Sequence, residues 1–155
     1  LFWDLLEGLA AEGITILVTV VDAMLQGIDA RVQEIFALPL SPPEKLQAIV
    51  RAVAENVRFL EPYFFPDLQR YYPHLWEKIE RFRAERMARL EQIYLDGCRR
   101  GYFKEFNVEV LMNCFVASVR AVINPAFLTS HNISLPRALD TLVEIFLYGI
   151  SKPMS

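Results

Sequence analysis

The sequence has little of what enzyme chemistry needs. It holds two cysteines, Cys98 and Cys114, and two histidines, His74 and His131, in 155 residues. Those four have no ligand spacing, so no metal site is expected. Two thiols without a disulfide pattern suit a reducing, cytoplasmic setting. Neither histidine has a Ser, Cys or Asp constellation near it, which excludes a nucleophilic triad; no catalytic residue is expected. The six glycines form no Gly-x-x-x-x-Gly-Lys-Ser/Thr loop, so nothing cradles a nucleotide phosphate and no cofactor is expected. Basic clusters are missing too. Net charge is −3 and no Lys/Arg run exceeds Arg99–Arg100, so the chain is not expected to hold nucleic acid by itself. No signal peptide is expected, since the opening residues show neither a charged stretch nor a small-residue cleavage site. "VLMNCFVASVRAVINPAFL" reads as the most apolar window, but Asn113, Arg120, Asn124 and Pro125 make it a poor membrane span. No membrane contact is expected, and no repeat or low-complexity stretch occurs.

What the sequence does have is apolar residues, 54% of the total, above the usual figure of about 45–50%. The length suits one domain over residues 1–155 with one core. The surplus apolar surface predicts subunit contacts or a ligand cavity. Ser41 with Glu44 three residues on is a capping box, and Pro42 fits the first helical position. Leu46, Ile49, Val50, Val53, Val57 and Leu60 then form one helical stripe. "EPYFFPDLQRYYP", broken by prolines, allows a short helical piece around Asp67–Tyr71.

The strongest helical signal follows Pro73 and ends at Gly97 or Gly101. Leu75, Ile79, Phe82, Leu90 and Ile93 make its apolar stripe, widened by Trp76, Met87 and Tyr94. Glu77, Glu80 and Glu85 read as solvated charges, with Glu77–Arg81 and Glu85–Arg89 as i,i+4 pairs. Gly97 and Gly101 then define a corner at which Tyr102 and Phe103 should turn inward.

Asn107 caps a helix to about Ile123 that is apolar on two faces. One carries Val108, Leu111, Phe115, Val119 and Val122, the other Val110, Cys114, Ala117 and Ala121. "NPAFLTSHN" reads as a break. Ser134 caps a last helix to about Tyr148. Two apolar-rich helices in succession suggest a helix pair that dimerises as a four-helix bundle. The expected fold is all-α, a bundle of about six helices. The opening "LFWDLLEGLAAEGITILVT" reads as an amphipathic helix followed by a β-branched run. With no partner strand in sight it should be helical against the bundle, kinked at Gly13. If it formed a strand, its own copy would be the partner.

From about Val21 onward the chain resembles the ligand-binding and dimerisation domain of TetR-family transcriptional regulators. The likeness rests on "SPPEKLQAIVRAVAENVRFL", "PYFFPDLQRYYPHLWEKIERFRAERM", "IYLDGCRRGYFKEFNVEVL" and "SLPRALDTLVEIFLYGI", in that order and spacing. It implies a homodimer that senses a small apolar or amphipathic effector and is not an enzyme. DNA would be read only through a helix-turn-helix domain, and nothing before Val21 resembles one. Residues 1–19 are instead similar to a short piece of an ABC-transporter ATPase. Where that family has Thr-His after "LVT", this chain has Val20, Val21 and Asp22, so ATP hydrolysis is not implied.

Candidate ligand contacts are Phe59, Phe64, Phe82, Arg86, Tyr94, Asn113 and Phe115, placed between the long helix and its neighbours. Arg86 could meet an anionic group or pair with a carboxylate such as Glu55. The dimer interface is expected at Val110, Cys114, Ala117, Ala121, Leu142, Ile145 and Phe146. The alternative is a purely structural dimerising chain with no ligand.

Overall fold

A computed structural model describes residues 1–57 and 64–153. Among these residues there are seven helices and no strand. They are α1 (Phe2–Ala37), α2 (Pro42–Val57), α3 (Phe64–Tyr71), α4 (Pro73–Arg99), α5 (Val108–Val122), α6 (Pro125–Ser130) and α7 (Leu135–Ile150).

α1 is helical throughout, including the β-branched run and Gly13. β-Branched side chains lower helix propensity only slightly, and Thr15 and Thr19 return their hydroxyls to the carbonyls of Ala11 and Thr15 at 2.9 Å. Its C-terminal half supplies the largest share of the core. Val21, Leu25, Ile28, Val32 and Ile35 are buried there with Ile49, Ala52 and Val57 of α2, Leu68 of α3 and Ile93 of α4. Residues 2–16 of α1 are all exposed, so the helix projects beyond the bundle as a stem.

The capping box at α2 forms as expected. The Ser41 backbone N–H and hydroxyl both donate to Glu44 Oε2 at 2.8 Å. Those bonds, the backbone one foremost, hold the Glu44 carboxyl below its ordinary pKa. α4 runs alongside α1 in the same direction, with Lys78 paired to Asp22 and Arg86 to Asp29.

The corner after α4 also follows the sequence, with one change. Gly101 adopts φ 84°, and the N–H of Tyr102 donates to the Gly97 carbonyl at 2.8 Å. A Cβ at Gly97 would collide with the Phe103 ring. Phe103 is fully buried. Tyr102 does not turn inward; it is exposed beneath the Arg100 guanidinium, 5.4 Å away. The chain then meets its own C-terminal segment, where the N–H of Lys152 donates to the Tyr102 carbonyl at 2.9 Å.

Two stretches are more helical than the sequence reading allows. α3 starts at Phe64 rather than Asp67. "NPAFLTSHN" contains α6, where Asn124 accepts hydrogen bonds from the N–H groups of Ala126 and Phe127. The anticipated ion pairs on α4 also differ. Glu85 pairs with Arg86 at 2.9 Å, while Arg89 lies over the Phe36 ring at 5.7 Å. Glu77 meets His74 at 3.9 Å. Glu80 is not a solvated charge: it joins Arg83 and, across to α5, Arg120 at 3.4 Å.

Candidate functional site

α2, α4, α5 and α7 line a cavity of about 50 Å³ that is partly open to the surface. Leu46 and Val50 face it from α2, Leu90 and Tyr94 from α4, Leu111, Met112 and Phe115 from α5, and Val143, Phe146, Leu147 and Ile150 from α7. Every one of these side chains is apolar or aromatic. Phe115 and Phe146 meet edge to face, with centroids 5.2 Å apart.

Tyr94 brings the one hydroxyl, and that group is already committed. It donates to the Lys104 carbonyl at 2.7 Å and accepts from the Phe106 N–H at 2.8 Å. Burial pushes the phenol pKa above its ordinary value, against the backbone hydrogen bond from Phe106. The ring also stacks on Phe103, with centroids 5.9 Å apart. The cavity can therefore offer a guest dispersion and hydrophobic contact, and little else.

Two of the seven ligand candidates, Tyr94 and Phe115, stand at this cavity. Phe64 and Phe82 pack instead on the core cluster built around α1. Arg86 is held by Asp29, with Nε at 3.1 Å and Nη2 at 2.6 Å from the same carboxylate oxygen. Its guanidinium also lies 4.2 Å from the Phe82 centroid. The carboxylate partners are thus Asp29 and Glu85 and not Glu55, and the guanidinium is taken up by protein groups. Asn113 is exposed, its amide turned back to the Glu109 carbonyl of its own helix at 2.9 Å. Phe59 lies outside the described residues, as does Leu60 of the α2 stripe.

The second feature is an uncovered face on α5 and α7. Val110 is 60% exposed, Ile145 62% and Tyr148 77%. Cys114, Ala117 and Ala121 are exposed beside them on α5. Two of the residues expected there sit elsewhere. Leu142 is buried within the chain, and Phe146 lines the cavity. Tyr148, three residues on from Ile145, is exposed on the same helical face. The other cavity residues appear in the sequence only as core stripes.

Among the described residues no group of His, Cys, Asp or Glu could hold a metal ion. α1 is long and apolar enough, by length and composition, to cross a membrane. That property belongs to α1 and not to the α5 window that reads as the most apolar. Its second half is built into the core, however, and a crossing would have to pull Val21 and its neighbours out of it.

No protein-family model matches the chain, and neither does any curated protein. Solved structures do match it. One is the ketosteroid transcriptional regulator KstR2 of Mycobacterium tuberculosis, 17% identical with a TM-score of 0.61, covering 86% of this chain and 70% of that one. Another is the TetR-family transcriptional regulator PfmR of Thermus thermophilus, 18% identical with a TM-score of 0.63, covering 88% of this chain and 76% of that one. The chain has a TetR-regulator-like all-α fold.

Proposed function

We propose that this chain is the effector-sensing and dimerising part of a TetR-like transcriptional regulator. It takes a small apolar molecule between α2, α4, α5 and α7 and pairs with a second copy through the open face of α5 and α7. DNA reading falls to a separate helix-turn-helix unit. The observation that carries this reading is the double use of two helices. α5 and α7 form one wall of the cavity through Phe115, Val143, Phe146 and Leu147. Their opposite side presents Val110, Ile145 and Tyr148 to solvent.

A mechanism follows from size. A cavity of 50 Å³ is far below the volume of about 300 Å³ or more that a ligand pocket occupies. A guest must therefore part the helices. It binds the parted arrangement in preference to the closed one, and only that difference can shift the population. Because α5 and α7 move, the geometry of the pair moves with them.

The same small volume favours one other reading, a structural dimer whose cavity stays shut. Thermal unfolding with steroid ketones, fatty acids and alkylbenzenes separates the two. A guest at a hundred times its dissociation constant adds about 2.7 kcal/mol, a rise of about 5–10 °C for a domain of this size. Met112→Trp fills the cavity and should abolish the rise. No rise with any of the three classes would leave the structural reading.

A further inference from the structure

The stem of α1 is the largest apolar feature that neither the core nor the α5–α7 face uses. Phe2, Trp3, Leu6, Leu9, Ala10 and Ile14 fall on one half of its circumference at 3.6 residues per turn. Trp3, Leu6, Ala10 and Ile14 stand in line with Leu17, Val21, Leu25 and Ile28, so the stem continues the stripe that forms the core further along. In the stem nothing covers it, and Trp3 remains 74% exposed. Patches of bulky apolar side chains left in the open mark interaction sites.

Charge selects the partner. Every ionisable side chain before Arg31 is acidic: Asp4, Glu7, Glu12, Asp22 and Asp29. Asp22 and Asp29 are paired with Lys78 and Arg86 of α4. Asp4, Glu7 and Glu12 have no Lys or Arg partner among the described residues. Asp4 and Glu12 lie outside the apolar half and Glu7 at its edge, on the bearing of Leu25, where they would meet the rim of whatever seats that half.

A second stem fits poorly. It would bring like charges together, Asp4, Glu7 and Glu12 of one copy beside those of the other. A lipid surface fits poorly as well. The stem carries Asp4, Glu7 and Glu12 and no Lys or Arg, so anionic headgroups would repel it. We propose that the stem is a docking helix for another protein, one that offers an apolar groove rimmed by lysine or arginine. This is the helix-in-groove mode of recognition, with the apolar face as anchor and the acids selecting the rim.

Trp3 reports on the test. Trp76→Phe in the 155-residue chain leaves Trp3 as its one tryptophan. The probes are a designed two-helix hairpin with an open leucine seam flanked by lysines, the same hairpin with glutamates in their place, and vesicles of phosphatidylcholine with phosphatidylglycerol. The lysine-rimmed hairpin should shift Trp3 emission to the blue saturably, bind at least tenfold more tightly than the glutamate-rimmed one, and weaken as salt rises. Leu6→Ser with Leu9→Ser, both on the exposed stem and away from the core, should weaken it by at least about tenfold. Equal binding of both hairpins, no response to either, a blue shift with vesicles instead, or one that appears on concentrating the protein alone would each overturn the proposal.

Discussion

Tyr94 shows how much one side chain can join. Its ring closes the cavity, its face stacks on Phe103, and its hydroxyl ties α4 to the Lys104–Phe106 segment. Tyr94→Phe leaves a backbone carbonyl and an N–H without their partner. Unfolding in urea should show a loss of about 1–3 kcal/mol. The pH dependence has a definite sign. The folded phenol is raised above its usual value of 10.0, so its contribution is complete below that pH. It is lost as pH rises toward the folded value, and the phenylalanine variant should lack that alkaline loss. Gly97→Ala forces a methyl into Phe103 and should cost about 1–3 kcal/mol in the same assay.

The helical phase of Tyr94 could be read from the sequence; its hydroxyl partners could not, because residues 104–106 reach it only after the corner has folded. Glu80 teaches the same lesson. Its phase places it away from the α1-facing stripe, which is why it reads as solvated. Arg120 of a second neighbour, α5, then comes across to meet it. Periodicity describes one partner face, and α4 has more than one.

Helix ends were the most readable features among the elements. Ser41, Asn107 and Ser134 each accept the hydrogen bond expected of a cap. Ser41→Ala should lower stability by about 1 kcal/mol. It should also flatten part of the acid dependence. The Ser41 N–H, which alanine keeps, and the Ser41 hydroxyl, which it removes, both hold the Glu44 carboxyl below its ordinary value. The hydroxyl's share is present at neutral pH and lost as pH falls through the lowered value, so only that share goes with the substitution. A denaturation series against pH, with and without the substitution, checks both. α6 carried the same kind of signal, an Asn followed by Pro. Six residues are too few to show a hydrophobic period, so the segment read as a break. In α1 the continuity of helix through "ITILVTVV" was legible from the lack of any partner strand. The exposure of its first half was not, since an amphipathic stripe looks the same whether or not something covers it.

For the molecule as a whole, the bundle followed from the stripes, and the surplus of apolar residues pointed to uses beyond the core. The residues proposed for pairing divide by exposure. Val110, Cys114, Ala117, Ala121 and Ile145 are exposed, while Leu142 is buried within the chain. Ile145→Asp places a charge on that open face. Sedimentation should show the pair separating into single chains with the helical content unchanged, and a pair that persisted would put the interface elsewhere. The cavity was harder to foresee. It lies where four stripes converge, and no single stripe shows whether its neighbours close completely.

The most direct measurement is the methyl spectrum of the chain labelled at its four methionines while an apolar guest is added. Met112 lines the cavity and Met24 lies in the core built on α1. The account predicts that the Met112 methyl moves saturably with the guest, with the same dissociation constant as the thermal shift, while Met24 stays in place. A guest that raised the melting temperature and left Met112 unmoved would contradict it.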